Sequence, residues 1–166
     1  STIYFDSSDT WTVGSDTAIL EVTGGVTYVG DSWGGGTRAT FTTSADLSTQ
    51  RGLVLWSNDS GTYETAFDGF ELDIADYALT NGGAGIAIRT TAGTMTGTKR
   101  VENCVIHDTD PNGANLNGIR VQAVNDTSLD NVTIKGCEIY NIESSGIAFL
   151  GPFTSSHHAY DNAAYN

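Results

Sequence analysis

The sequence predicts an all-β solenoid that forms one domain. The chain has 166 residues, which is the length of a single domain. It contains 20 glycines and is rich in threonine, serine and asparagine, which favour turns and strands over helices. Two different short apolar segments recur in the same order about every 33 residues. Short strands with such a period predict stacked coils, because one coil cannot bury its apolar side alone.

Each recurring segment has the pattern of a strand. The first begins with glycine and occupies residues 52–56, 85–89, 118–122 and 146–150, with the glycines 33, 33 and 28 residues apart. The second occupies residues 69–74, 103–108 and 136–141. Both segments alternate apolar and polar residues between Gly, Asn, Asp or Ser, as short strands do. In a stack of coils, equivalent strands pair in parallel.

The chain divides into three parts within this one domain. Residues 1–50 contain short strand candidates at 3–5, 18–22, 26–29 and 39–41, and we expect an N-terminal cap and the first coils there. Residues 51–150 form the regular β-helix coils. Residues 151–166 form either a C-terminal cap or a segment that docks on another subunit.

The coil unit resembles that of a known class of proteins. The segment NVTIKGCEIYN (131–141) followed by SGIAF (145–149) is similar to the unit of right-handed parallel β-helix proteins of the pectate-lyase-like class. Residues 51–150 carry this resemblance. It implies a right-handed parallel β-helix of about five coils. Because that fold hosts lyases, hydrolases, epimerases, viral tailspikes and adhesins, the resemblance leaves the activity open.

The net charge and the hydropathy of the chain limit the classes of partner and the locations that we expect. The chain has 20 acidic and 7 basic residues and a net charge of −13, so we expect no nucleic-acid partner, which would require a basic face. No run of apolar residues is long enough for a transmembrane helix, and we expect no membrane insertion. No signal peptide is visible. The expected location is a virion or an extracellular surface.

Alternation along the strands predicts which side chains face outward. In the first segment the inward residues are Leu53, Leu55, Ile86, Ile88, Ile119, Val121, Ile147 and Phe149. The outward rows are Val54, Ala87, Arg120, Ala148 and Trp56, Arg89, Gln122, Leu150. In the second segment the outward rows are Glu71, Val105, Glu138 and Asp73, His107, Tyr140.

The outward rows contain the candidate catalytic residues. Asp73, His107 and Tyr140 could act as acid and base on a sugar ring, with Arg120 or Arg89 neutralising a uronate carboxylate, as β-elimination requires. Glu71 and Glu138 could instead serve as the carboxylate pair of an inverting hydrolase. Both sets could equally be the ordinary polar outer face of a solenoid.

Glycan binding is a further possibility for two outward residues. Trp56 offers a flat apolar ring for stacking on a sugar, and Arg89 lies in the same predicted row.

Calcium is the one cofactor that the sequence suggests, and none is required. Asp108, Asp110 and Asn112 lie in a loop whose oxygen ligands would suit Ca²⁺, although turn chemistry alone also explains such residues.

Cys104 and Cys137 occupy the same inward position of adjacent coils. They are either stacked small core residues or a disulfide.

The function expected from these observations is that of a structural or glycan-recognising module in a larger assembly, such as a phage tail or another virion surface. We expect a homo-oligomer, with a trimer as the suggested form, or end-on docking to another subunit. One alternative is a polysaccharide lyase or glycoside hydrolase that acts on an extracellular, uronate-containing glycan. A second alternative is an adhesin stiffened by calcium.

Overall fold

The predicted all-β solenoid is confirmed by a computed structural model of the chain. The model describes residues 1–15, 17–22, 24–46, 52–57, 62–74, 83–108, 117–124, 128–151, 153 and 157–165. These residues form strands and turns but no helix, and therefore include no helix that could cross a membrane. The strands assemble into three long parallel sheets and one short pair.

Successive coils contribute strands to the three long sheets in turn. Sheet A contains β1 (Thr2–Asp6), β4 (Thr27–Trp33), β7 (Thr65–Asp68), β11 (Lys99–Glu102), β15 (Val132–Lys135) and β18 (His158–Tyr160). Sheet B contains β2 (Thr10–Val13), β5 (Ala39–Thr43), β8 (Phe70–Asp73), β12 (Val105–His107), β16 (Glu138–Tyr140) and β19 (Ala163–Tyr165). Sheet C contains β3 (Leu20–Glu21), β6 (Gly52–Ser57), β9 (Ala84–Thr90), β13 (Asn117–Ala123) and β17 (Ser145–Leu150). The short pair is β10 (Thr94–Met95) with β14 (Ser128–Leu129).

The two ends of the chain extend the same sheets. The N-terminal strand candidates correspond to β1, β3, β4 and β5, whereas β2, with the sequence TWTV, was not among the predicted strands. Near the C-terminus, β18 pairs with β15 and β19 pairs with β16. Sheets A and B therefore each have one more described strand than sheet C.

The core is a single column that narrows toward the C-terminus. One inward row of sheet B runs from Trp11 and Phe41 through Leu72, Ile106 and Ile139 to Ala164. Aromatic rings fill its wide end, where Phe67 and Phe70 stack with their centroids 4.1 Å apart. Equivalent residues stack on one another in successive coils. The decrease in side-chain size along each row, from aromatic residues to alanine, therefore narrows the core toward the C-terminus.

Left-handed residues form the corner between sheets A and B. Gly69, Asn103, Gly136 and Asp161 occupy this corner in successive coils, with φ between 53° and 75°. Asn103 also donates from Nδ2 to Oδ1 of Asp68 at 2.9 Å. Only glycine and, less readily, asparagine or aspartate adopt this conformation at low cost, which explains why the second recurring segment begins with Gly or Asn.

The predicted orientation of Trp56 is wrong. In β6 the register places Gly52 opposite Ala84, so Val54 stacks on Ile86 and Trp56 stacks on Ile88. Alignment of the glycines therefore misplaced this strand by one residue, which exchanges the two faces of a strand. Val54 and Trp56 are fully buried, whereas Leu55, predicted to face inward, is partly exposed. Trp56 is thus a core residue and has no exposed ring for a sugar.

The two cysteines are free, buried residues of the core. Cys104 Sγ lies 3.2 Å from the carbonyl oxygen of Glu102, and Cys137 Sγ lies 3.6 Å from that of Lys135. Burial raises the pKa of the Cys104 thiol well above its ordinary value. This agrees with the interpretation of the pair as stacked small core residues.

Lys99 is a buried lysine that the sequence analysis did not single out. Its ammonium group donates to the carbonyl oxygens of Met95 at 3.0 Å and Asp130 at 3.2 Å, and also to that of Gly97. The lysine therefore joins β10 and the turn after it to the residues that precede β15. Its ammonium group therefore stabilises the contact between adjacent coils and is not part of the protein surface.

We expect Gly118→Ala to destabilise the solenoid by about 1–3 kcal/mol, because it overpacks the core. A Cβ atom at this position would lie 2.6 Å from the carbonyl oxygen of Gly146 and 2.6 Å from Cγ2 of Ile139. Urea unfolding followed by circular dichroism measures the change. Gly35→Ala is the matched control, since no atom lies within 4 Å of the added methyl group. Equal stability of the two variants would contradict the close stacking of β13 on β17.

Candidate functional site

The outer face of sheet B brings together five of the predicted site residues. Glu71 and Glu138 lie on the two strands that flank β12, and each is opposite Val105, as predicted from their spacing. In the neighbouring row, His107 lies between Asp73 and Tyr140. The parallel register alone creates this cluster, because the residues are more than 30 positions apart along the chain but only one coil apart in space.

Two carboxylates hold the imidazole of His107. Its Nε2 atom lies 3.0 Å from Oε1 of Glu71, and its Nδ1 atom lies 3.7 Å from Oδ1 of Asp73. Only 10% of the histidine side chain is exposed, whereas the two carboxylates reach further into solvent. The ring is therefore fixed in orientation, with an acidic group beside each nitrogen.

Three aromatic rings form a stack on the same face. The ring of His107 lies 5.0 Å from that of Tyr140, with an angle of 5° between their planes. Tyr140 in turn lies 5.5 Å from Tyr165, with an angle of 10°. The Tyr165 hydroxyl donates to Oε1 of Glu138. The Tyr165 side chain, on β19, is half exposed.

Tyr165 is a site residue that the sequence analysis missed. It extends the row of Asp73, His107 and Tyr140 by one coil. It lies 25 residues after Tyr140, a shorter interval than the usual period. The signal that could have found it is the short apolar segment Ala163–Tyr165, which ends on an aromatic residue as the preceding segment Glu138–Tyr140 does.

The acidic surroundings keep the two tyrosines protonated. Burial raises the pKa of Tyr140, and the negative charges of its neighbours raise it further, in the order Glu71, Glu138 and Asp73. The hydrogen bond to Glu138 is the main cause that raises the pKa of Tyr165. Both phenols therefore remain hydrogen-bond donors well into the alkaline range.

The two arginines lie on a different sheet from this cluster. Arg89 is on β9 and Arg120 is on β13, and both project from the outer face of sheet C. The positive charge that a uronate lyase would place beside its acid and base therefore does not belong to the face that carries Asp73, His107 and Tyr140. Among the residues whose placement is described, neither arginine contacts that cluster.

The calcium hypothesis falls largely outside the described residues. Asp110 and Asn112 lie in the part of the chain, residues 109–116, for which no structure is described. Asp108, at its edge, is buried. Within the described ranges, no group of three His, Cys, Asp or Glu side chains is arranged to hold a metal ion.

The chemistry available on sheet B is that of an acidic, aromatic surface. Three carboxylates, two phenols and one imidazole share a face two rows wide. Such groups can donate and accept hydrogen bonds with hydroxyl groups, and the exposed Tyr165 ring offers an apolar surface beside them. Comparison of the chain with protein-family models, with curated proteins and with solved structures found no match. The functional argument therefore depends on this geometry.

We expect Glu138→Gln to lower the pKa of both Tyr140 and Tyr165, because it removes a negative charge that opposes ionisation of each phenol. A spectrophotometric alkaline titration, read as tyrosinate absorbance in the near ultraviolet, measures the shift. Glu64→Gln, just before β7 of sheet A, removes the same charge away from the stack and serves as the control. Superimposable titration curves for Glu138→Gln and the wild type would contradict the assigned contacts.

The same variant changes how stability depends on alkaline pH. A raised phenol pKa means that the folded protein binds this proton more tightly than the unfolded chain does, so the resulting stability is fully present below the ordinary tyrosine pKa. It is lost as the pH rises through the folded-state pKa. Glu138→Gln should make this alkaline loss of stability shallower, as thermal unfolding measured across the alkaline range would show.

Proposed function

We propose that this protein is a glycan-recognising solenoid module of a larger assembly at a virion or extracellular surface, and that the glycan binds on the outer face of sheet B. The observation that carries the proposal is the stack of His107, Tyr140 and Tyr165, which ends on a half-exposed ring. The resemblance of the coil unit to pectate-lyase-like β-helices is consistent with a carbohydrate ligand.

The composition of this face supports a sugar as the ligand. A sugar ring has an apolar face of C–H groups and a rim of hydroxyl groups, which match an aromatic ring bordered by hydrogen-bonding side chains. Tyr165 supplies the ring, and Glu138 borders it by accepting the hydrogen bond that the Tyr165 hydroxyl donates. Because every neighbouring charge is negative, a neutral sugar or an amino sugar fits better than a uronate, which these carboxylates would repel.

The arrangement favours binding over catalysis. Glu71 is bonded to His107 and Glu138 to Tyr165, so both carboxylates of the candidate hydrolase pair are engaged within the protein. The β-elimination mechanism needs a cation beside the acid and base, and Arg120 and Arg89 lie on sheet C. We therefore assign Asp73, His107 and Tyr140 a binding role.

A catalytic alternative follows from one specific observation. His107 bridges two carboxylates next to a tyrosine whose pKa is raised, which resembles the acid and base pairs of enzymes that act on sugars. Polysaccharide lyase and glycoside hydrolase activity are tested by incubating the chain with uronic-acid and neutral polysaccharides and measuring unsaturated products and reducing ends. Turnover that His107→Gln abolishes would replace the binding proposal by this alternative.

Exposed strands of the last coil support membership in a larger assembly. The strands β18 and β19 are exposed along their length, and Tyr160 and Leu150 lie nearby as exposed apolar side chains. A depression of about 180 Å³ opens beside them, lined by Ile139, Ile142, Ser144, Gly146, Ala164 and Tyr165. Exposed strand edges readily pair with other strands. We infer association with another subunit through Tyr160 on sheet A and Leu150 on sheet C, either as a homo-oligomer such as a trimer or by end-on docking, in an arrangement that leaves Tyr165 on sheet B open to the glycan.

We expect Tyr165→Ala to weaken glycan binding about tenfold, because it removes the ring on which the sugar stacks. A glycan array of neutral and amino-sugar oligosaccharides identifies the ligand, and isothermal titration calorimetry with the best-bound oligosaccharide measures the change in affinity.

The control for this experiment is Tyr160→Ala. Tyr160 is similarly exposed and lies in the same last coil, but it belongs to sheet A. Its removal should leave the affinity within about twofold of the wild type. Absence of any bound oligosaccharide on the array, or equal losses for the two variants, would overturn the proposal that sheet B carries the site.

A further inference from the structure

Two arginines lie next to each other on the outer face of sheet C. Arg89 on β9 is opposite Gln122 of β13, and Arg120 on β13 is opposite Ala87 of β9. The arginines are thus diagonal neighbours on one face, with backbones about 8 Å apart from the strand spacing and the rise per residue. Both side chains are half-buried. Burial, and then the charge of Arg89, lowers the pKa of Arg120, which places the two guanidinium groups within electrostatic reach of each other.

This concentration of positive charge contrasts with the rest of the chain. Of the 27 acidic and basic residues, only 7 are basic, yet two of these share one small face. On strands β6, β9, β13 and β17 the two outward rows of sheet C contain no acidic residue and consist of Leu55, Ser57, Ala87, Arg89, Arg120, Gln122, Ala148 and Leu150. The nearest acidic residue in these rows is Glu21 on β3, which is opposite Leu55 and therefore two strands from Arg89 and three from Arg120. Within the described ranges, Arg89 forms no ion pair, whereas Arg100 on sheet A pairs with Glu64 at 2.7 Å.

Two polar atoms on this face have hydrogen-bonding capacity left. Nε of Arg89 and Oε1 of Gln122 are both excluded from solvent, and neither has a hydrogen-bond partner among the described residues. Since Arg89 and Gln122 are directly opposite each other, a donor and an acceptor are placed side by side. Burying such groups without partners is unfavourable, which favours a small rotation of these half-buried side chains that brings both atoms to a ligand.

The neighbouring side chains leave room for a ligand. Arg120 lies between Ala87 and Ala148 in its row, and neither alanine extends beyond its Cβ atom. The half-exposed Leu150 and the partly exposed Leu55 border the same face. The result is a shallow surface with two cations and an amide at its centre and apolar groups at its edges.

We propose that Arg89, Arg120 and Gln122 form an anion-binding site for a sugar that carries a carboxylate or a sulfate group. The planar guanidinium groups match the oxygens of either anion, and Gln122 accepts a hydrogen bond from an adjacent sugar hydroxyl. This site lies on a different sheet from the one proposed for neutral glycans and goes beyond that function. The two faces would allow one solenoid to bind acidic and neutral parts of a glycan separately.

The test is isothermal titration calorimetry on the full chain with three oligosaccharides of equal length. These are an oligogalacturonate, a sulfated galactose oligosaccharide and a neutral galactose oligosaccharide. We expect one of the two anionic probes to bind at least about tenfold more tightly than the neutral one, with an advantage that falls as salt rises. The preferred anionic probe distinguishes a carboxylate from a sulfate ligand.

Substitutions locate the binding on sheet C. Arg89→Gln should weaken binding of the preferred anionic probe about tenfold, because a hydrogen-bonded charge is lost. Arg100→Gln removes the same charge from sheet A and should change the affinity by less than about twofold. Arg89→Lys, which keeps the charge but loses the planar fork, should give an intermediate loss and serves as the folded substitute if Arg89→Gln does not fold.

Two results would overturn the proposal. One is equal affinity of the wild type for all three probes, and the other is an equal loss in Arg89→Gln and Arg100→Gln, which would indicate unspecific attraction. Tyr165→Ala should leave binding of the anionic probe unchanged. The failure of the neutral-glycan site on sheet B and the failure of the anion site on sheet C are therefore distinguishable.

Discussion

Parallel, in-register pairing between successive coils is the constraint on which the rest of this structure depends. Every strand of the long sheets pairs with the equivalent strand of the next coil, so each side chain stacks on its counterpart at the strand spacing of about 4.8 Å. The same register builds the core column and the functional face. Ile106 stacks on Ile139 inside the solenoid for the reason that His107 stacks on Tyr140 outside it.

Stacking of equivalent positions limits where charges can lie on sheets B and C. Like charges on neighbouring strands repel, and the outer rows of these sheets avoid such pairs. Val105 separates Glu71 from Glu138, and His107 follows Asp73 in the adjacent row. On sheet C the arginines are diagonal rather than opposite, with Ala87 facing Arg120. The concentration of acidic groups on one face and basic groups on the other is therefore compatible with a stable ladder.

The taper of the core connects packing with the proposed interactions. Aromatic rings pack inside the first coils, whereas the inward positions of β18 and β19 are Ala159 and Ala164. Small side chains leave the last coil with little apolar surface to bury, which accounts for the depression beside Ile139. The Tyr165 ring on β19 is half exposed beside this depression.

The sequence by itself determined the solenoid and most of the candidate site on sheet B. Two segments with a common period require stacked coils, and alternation then orders Glu71, Asp73, His107, Glu138 and Tyr140 into two outward rows, because the period of a strand is two residues and leaves no other arrangement. The left-handed corner also follows from the sequence, since Gly69 and Asn103 are residue types that adopt this conformation.

Only the tertiary structure decided the register where the repeat is irregular. Strand β6 pairs one residue away from the glycine alignment, which buries Trp56, and no local pattern distinguishes the two registers of a strand whose residues are apolar on both faces. Tyr165 follows a shortened coil, so its place above Tyr140 depends on the pairing of β19 with β16. The carbonyl partners of Lys99 include Met95 on β10 and Asp130 before β15, which are more than 30 residues apart in sequence. In each case the deciding contact joins coils that are distant in sequence, and such contacts are set by how the whole stack packs.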